Sequence, residues 1–138
     1  MTDKALRCSL SEMQGALFEM SGAEGYDSET FIRVFMRSKI AEGLDSDFDY
    51  TQWAGKEYIM ERMKEEYPEG FSQKGIVFDS ETLYWSGYLY RYWHFYTGES
   101  SKDIYKQADA QTVNTMYYGY HTLDIEMAID RLKEAKKK

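Results

Sequence analysis

The chain has 138 residues, 43% of them hydrophobic and 17% aromatic, and its 24 acidic and 17 basic side chains give a formal net charge of -7. This composition is too apolar for a disordered chain, and the length suits a single domain, which we place at residues 1–138. The sequence has no apolar run near the roughly 20 residues of a membrane helix, no signal-peptide pattern, and one cysteine, Cys8, which excludes an internal disulfide. We therefore expect a cytoplasmic protein without membrane contact, since reducing compartments keep thiols unpaired.

Apolar residues recur at helical spacing through the first half of the chain, which predicts three helices. The predicted helices cover residues 9–21, 28–42 and 50–67. Ser9 and Glu12 have the spacing of a capping box, which places the beginning of the first helix at Ser9, and Pro68 ends the third. Residues 71–79 are the one interval for which a short extended segment is predicted.

The segment 80–97 is the least ordinary part of the sequence, because eight of the thirteen residues from 84 to 96 are aromatic. On a helical wheel these residues surround almost the whole circumference, which is typical of a helix buried on most sides. Gly98 is a suitable residue to end it. Three further helices are predicted, over residues 101–108, around 110–120 and from 124 onward. We therefore expect an all-α fold, a single compact bundle of six or seven helices around the aromatic helix.

The net negative charge belongs to the first part of the chain, because residues 1–79 carry the whole net charge of -7 and residues 80–138 are neutral overall. Three carboxylates in the third helix, Glu57, Glu61 and Glu65, follow each other at intervals of four residues and so form a ridge on one helix face. Such a ridge can bind a basic partner protein, or it can be a solvated face of the helix.

The sequence argues against most metal-dependent and covalent chemistry. One cysteine and two histidines, far apart in sequence, are too few for a zinc site. Residues 45–49 resemble the beginning of a calcium loop, but Tyr50 and Lys56 occupy the positions that need glycine and glutamate. Nucleophile and phosphate-loop motifs are also missing. We expect no catalytic residue, no metal and no cofactor, and hence a non-enzymatic protein.

A polar line crosses the aromatic helix, where Gly87, Arg91, His94 and Gly98 share one narrow face. Arg91 can bind a carboxylate or another anion through two parallel hydrogen bonds, and neighbouring tyrosines such as Tyr88 can supply hydroxyl groups. The line therefore predicts a site for a small anionic ligand or a partner side chain. The other interpretation is that Arg91 pairs with a carboxylate of the same chain.

Residues 101–121 resemble a helix-turn-helix of the DNA-binding kind. The second helix offers Gln111, Thr112 and Asn114 to base edges, and Lys102 lies on the first helix. Three positions depart from the usual pattern: Tyr105, Asp109 and Thr115. The second helix has no lysine or arginine, and a chain of net charge -7 neutralises few phosphates. A DNA-binding regulator is therefore an alternative function.

Three segments resemble a family of small, largely uncharacterised bacterial proteins that are common in gut-type Firmicutes. Residues 84–93 match Y-W-x-G-Y-x-Y-R-Y-W, residues 97–105 match T-G-E-x-S-K-x-I-Y, and residues 121–124 match H-T-x-D. The similarity extends over about residues 28–133. Members can lie beside toxin-like genes, so the resemblance implies an antitoxin-like or accessory role, and it carries over no catalytic residue.

The leading hypothesis is thus a protein-interaction or regulatory protein, antitoxin-like, whose contact surface is the ridge or the edge of the aromatic helix. The DNA-binding regulator and the binder of a small anionic ligand at Arg91 and His94 are the two alternatives.

Overall fold

The computed structural model describes residues 4–46, 54–71 and 74–137, and these residues form eight α-helices. The helices are α1 (Lys4–Ala23), α2 (Ser28–Met36), α3 (Lys39–Asp45), α4 (Lys56–Glu66), α5 (Ser80–Thr97), α6 (Ser101–Gln107), α7 (Ala110–Tyr120) and α8 (Ile125–Lys137), with a 3₁₀ turn at Pro68–Phe71. Within these described ranges the only β-type pairing is an isolated bridge between Tyr26 and Lys74, and no helix is long and apolar enough to cross a membrane. The expected all-α class is confirmed, with one or two more helices than predicted.

The first helix begins earlier than the capping-box pattern predicts. α1 begins at Lys4, so Ser9 and Glu12 lie inside the helix and cap nothing. The residues upstream of Ser9 include alanine, leucine and arginine, which have high helix propensity, and the helix therefore continues through them.

The predicted helix over residues 28–42 is interrupted, which accounts for the higher helix count. Ser38 has an extended backbone, and its hydroxyl accepts a hydrogen bond from Ala41 N at 3.1 Å, so it caps the beginning of α3. A serine can cap a new helix in this way because its short side chain competes with the backbone for hydrogen bonds. The predicted third helix is α4, which begins at Lys56; residues 50–53 lie outside the described residues.

One hydrophobic core draws residues from all eight helices, and α5 lies at its centre, in contact with α1, α6, α7 and α8. The aromatic side chains of α5 are less buried than the sequence predicts. Tyr90 and Trp93 are fully buried, whereas Tyr96 is 40% exposed and most of the others are partly exposed. Where α5 packs on α1 it also carries a small and a polar residue: Gly87 meets the backbone of Gln14, and Arg91 donates to the Gln14 side chain.

Glycine allows α1 and α5 to approach closely. A Cβ atom at Gly87 would lie 2.8 Å from the Cα atom of Gly15, and a Cβ atom at Gly15 would lie 2.8 Å from the carbonyl oxygen of Tyr84. Real side chains do not tolerate such separations, so both positions need glycine. Gly87 thus lets the backbone of α1 approach α5.

Residues 75–79 belong to no helix or strand, but after the bridge at Lys74 the alternate residues Ile76 and Phe78 bond to the loop between α1 and α2, which is the pattern of an extended segment. Ser28 N donates to the Ile76 carbonyl at 3.0 Å, and Ile76 N donates to Asp27 Oδ1 at 3.0 Å. Phe78 N donates to the Ser28 hydroxyl at 3.0 Å. These hydrogen bonds attach one edge of the extended segment to the bundle.

Candidate functional site

Arg91 is fully buried, and each of its three guanidinium nitrogens donates a hydrogen bond to an oxygen of the same chain. Its Nε atom donates to Gln14 Oε1 at 2.9 Å, and Nη1 donates to Asp45 Oδ1 at 2.6 Å. Its Nη2 atom donates to the Ser101 hydroxyl at 3.2 Å. The four residues, which we call the Arg91 cluster, therefore connect α5 with α1, α3 and α6.

The carboxylate of Asp45 is as fully bonded as the guanidinium it faces. Ser101 N donates to Asp45 Oδ2 at 2.8 Å, and the Ser101 hydroxyl donates to Oδ1 at 2.8 Å. Burial lowers the pKa of Arg91, and the charge and hydrogen bond of Asp45 oppose that shift. Arginine stays protonated in proteins under these conditions, so the cluster is a buried ion pair.

The Arg91 cluster leaves no place for an external anion. An internal carboxylate occupies the position that the sequence interpretation gave to a ligand, and the guanidinium is closed to solvent. The alternative of a small anionic ligand at Arg91 and His94 is therefore wrong. The other interpretation holds: Arg91 pairs with a carboxylate of the same chain, Asp45. The physical reason is that a buried guanidinium needs a compensating charge within the protein.

His94 lies beside the Arg91 cluster, whereas Tyr88 lies apart from it. His94 Nδ1 is 2.7 Å from the Glu99 carbonyl, which requires the proton on that nitrogen, and 3.7 Å from Asp45 Oδ1. Tyr88 belongs to a stack of rings with Tyr84 and Tyr92, at centroid distances of 6.5 and 6.1 Å. The structure thus brings His94 next to Arg91 and leaves Tyr88 among tyrosines.

The acidic ridge of Glu57, Glu61 and Glu65 is exposed along α4, whose opposite face is buried in the core. Lys56 Nζ lies 3.1 Å from Glu57 Oε2, and the backbone N–H of Glu57 together with Lys56 lowers the pKa of that carboxyl. Glu61 and Glu65 have no ion pair with any residue that the structure describes.

The two other cations of α4, Arg62 and Lys64, are turned toward carboxylates outside the ridge. Arg62 Nε lies 3.0 Å from Glu66 Oε2, and Lys64 Nζ lies 2.8 Å from Glu24 Oε1. Both cations lie on α4 beside the ridge, but they are paired with carboxylates outside it. The outer face of α4 is therefore acidic, and Tyr58 is exposed beside it to 57%.

The second helix of the candidate helix-turn-helix, α7, carries no positive side chain. Gln111 is exposed and Thr112 and Asn114 are partly buried, but α7 contains no lysine or arginine. Lys102 is exposed on α6. The Tyr117 hydroxyl of α7 lies 3.4 Å from Glu81 Oε2, whereas Lys106 and Lys136 line a groove together with Thr112. Affinity for phosphates needs cations, and α7 supplies none of its own, which weakens the DNA alternative.

The carboxylates that resemble a calcium loop are not assembled as a site. Asp45 belongs to the Arg91 cluster, and Asp47 and Asp49 lie outside the described residues. Across the described ranges, no three histidine, cysteine or acidic side chains are grouped so that they could hold a metal ion.

The sequence analysis missed two grooves that flank residues 75–78. One, of about 600 Å³, is lined mainly by apolar groups of α1, α5 and the extended segment, among them Ala16, Met20, Val77 and Leu83. The other, of about 420 Å³, lies between Ile76 and α7. Its α7 lining consists of Gln111, Asn114 and Tyr118. In the sequence, the uncharged run G-I-V-F before α5 was the one sign of an apolar surface here. Which of its residues are exposed could be seen only in the fold.

Comparison with known proteins does not assign this chain to a family: no family model, no curated protein and no solved structure matches it. The resemblance of residues 84–93, 97–105 and 121–124 to small bacterial proteins stays a prediction. The functional conclusion therefore depends on the surfaces described above.

Proposed function

We propose that this chain is a non-enzymatic protein-interaction protein, antitoxin-like in action, which binds a basic partner protein through the acidic ridge of α4. The observation that carries the proposal is that Glu57, Glu61 and Glu65 share one exposed face while Glu61 and Glu65 lack ion pairs among the described residues. Like charges four residues apart each destabilise a helix by a few tenths of a kcal/mol. A partner that carries positive charge would remove this repulsion on binding.

The dimensions of the ridge fit a short basic surface. Carboxylates four residues apart are separated by about 6 Å along a helix axis, so the three span roughly 12 Å. Two or three lysine or arginine side chains on one helix or strand of a partner match that spacing. A net charge of -7 also attracts such a partner over distance, so association should slow as salt rises.

The test is affinity purification of the tagged full chain from its native host, followed by mass spectrometry of what is retained. We expect one stoichiometric protein with a basic surface, and its loss when Glu57, Glu61 and Glu65 are changed together to lysine. The matched control changes three exposed carboxylates of other helices, Glu12, Glu42 and Glu134, to lysine, which alters the net charge equally.

The affinity for the captured partner should fall at least about tenfold for the ridge variant and change by less than about twofold for the control. Equal losses for the two variants would mean that only net charge matters, and the ridge would be rejected as the contact surface. Recovery of the chain alone would contradict the proposed function itself.

A further inference from the structure

The outer edge of residues 75–77 is an unpaired strand edge. Successive residues of an extended chain direct their backbone groups to opposite sides, and Ile76 is bonded to the loop between α1 and α2. The N–H and C=O groups of Gly75 and Val77 therefore point away from that loop, and none has a hydrogen-bond partner among the described residues. Four backbone groups, two donors and two acceptors, are thus available on one line.

This edge lacks the features by which proteins usually protect exposed edges from pairing. Such edges commonly carry proline or a charged residue, or are covered by another element. Residues 75–78 are Gly, Ile, Val and Phe, and Ile76 is 74% exposed and Val77 39% exposed. Lys74 and Asp79 flank this uncharged run, but Lys74 Nζ donates to the Glu24 carbonyl at 2.6 Å, so the edge between the two charged residues is a template for another strand.

The two grooves lie where the side chains of an added strand would point. Val77 lines both grooves and has Leu83 beside it in the larger one, whereas Ile76 and Tyr118, which is 82% exposed, line only the smaller one. Because side chains alternate between the faces of a strand, an added strand would place one side chain in each groove in turn. The larger groove is apolar and suits valine, leucine or isoleucine.

The rim of the grooves is acidic, which specifies the charge of the occupant. Glu19 lines the larger groove and accepts a hydrogen bond from the Ser80 hydroxyl at 2.5 Å, and Asp79, which lines the smaller groove, is exposed. Asp79 occupies the capping position of α5, but its side chain makes no capping hydrogen bond. Lys56 is the one cation that lines either groove, and it is paired with Glu57.

We propose that the edge at residues 75–77 binds an extended peptide segment of a partner protein, with alternating apolar residues flanked by lysine or arginine, which adds to this edge as a strand. Backbone hydrogen bonds to Gly75 and Val77 supply the alignment, the larger groove takes the apolar side chains, and the acidic rim takes the basic ones. This surface differs from the ridge of α4, so the inference stands or fails separately from the proposed function.

The test begins with a displayed library of random twelve-residue peptides, selected against the full chain. We expect enriched peptides with apolar residues at alternate positions and at least one flanking lysine or arginine. The decisive variant is Val77→Pro, which removes an N–H that makes no bond within the described chain, and its matched control is Val77→Ala, which keeps that N–H. Proline is tolerated at an outward-facing position of an edge strand.

Binding of the best enriched peptide should weaken about tenfold or more for Val77→Pro relative to Val77→Ala, as expected for loss of one backbone hydrogen bond with its partner left unpaired. In amide exchange spectra of the unmodified chain, the same peptide should slow exchange at Gly75 and Val77. This second readout decides the question even if the proline variant fails to fold.

Three outcomes would overturn the proposal. The first is that no peptide is enriched, and the second is that enriched peptides bind Val77→Pro and Val77→Ala equally. The third concerns the other possible occupant, a second copy of this chain. If light scattering shows a dimer that Val77→Pro dissociates, the edge is a self-association surface and not a peptide site.

Discussion

Replacing Arg91 by methionine tests whether the Arg91 cluster is an internal support or an anion site. Methionine keeps much of the apolar stem and removes the charge and all three hydrogen bonds. Asp45, whose side chain is 11% exposed, would then keep only Ser101 as a donor, and Gln14 Oε1 would lose its partner. The substitution therefore leaves a partly buried carboxylate without its counter-charge.

The expected cost is large compared with the stability of a domain this size. Removing one member of a buried ion pair typically costs about 3–5 kcal/mol, out of a total near 5–15 kcal/mol. For a chain of this length that corresponds to a melting temperature lower by roughly 10–20 °C. Adding Asp45→Asn to Arg91→Met should cost little more, about 1 kcal/mol or less, because the carboxylate charge is then gone as well.

Urea unfolding followed by circular dichroism measures these free energies, and the slope of the transition checks that unfolding stays two-state. If Arg91→Met lowered the free energy of unfolding by less than about 1 kcal/mol, the reasoning would be refuted, since removing one member of a buried ion pair is strongly destabilising. Inorganic phosphate provides the complementary measurement. If phosphate raised the melting temperature of the unmodified chain but not of Arg91→Met, the guanidinium would be an anion site after all.

Two further predictions concern packing and pH. Gly87→Ala should destabilise the fold by about 2 kcal/mol, because its Cβ would meet the backbone of α1. Gly119→Ala on α7, where a Cβ has nothing within 4 Å, should instead stabilise the fold by about 0.5 kcal/mol. Melting temperatures of the two variants test both expectations. Burial would raise the pKa of Glu99, but hydrogen bonds from Lys133, Trp93, Gln107 and Thr97 outweigh it and lower the pKa to about 2 from 4.5. Glu99 should therefore stabilise the fold above pH 4.5 and lose that contribution as the pH falls toward 2. After a discount for its 27% exposed side chain the contribution is about 1–2 kcal/mol, and urea unfolding of Glu99→Gln should show a weaker dependence in this window.

Local signals predicted the helical elements well wherever one residue decides the outcome. Asp27 caps α2 through Thr30 N at 3.1 Å, Gly98 ends α5 with φ of 80°, and α4 ends two residues before Pro68. The errors arose where two local signals compete. The capping-box pattern predicted that α1 begins at Ser9, but the high helix propensity of the upstream residues extends the helix to Lys4. The break at Ser38 was not predicted, because the apolar residues on both sides of it follow one helical pattern.

The candidate sites could be predicted only in part, because their residues lie far apart along the chain. The face that carries Arg91 was recognisable, but its counter-charge Asp45 is 46 residues away and was grouped with the calcium-like run 45–49. No local pattern joins two such positions. The edge at residues 75–77 was missed for a related reason, because exposure of Ile76 depends on what the rest of the fold leaves uncovered.

The Arg91 cluster also determines how α1 and α5 are aligned. Aromatic and aliphatic faces of similar size can slide past each other, and a slip by one helical turn moves a side chain by about 5.4 Å. Such a slip would take Arg91 away from the oxygens that meet it at 2.6–3.2 Å and would move Gly87 from the crossing point with Gly15. Misaligned packings would thus hold an uncompensated charge and a steric clash. The cluster therefore selects one register among packings that hydrophobic contact alone would leave nearly equal.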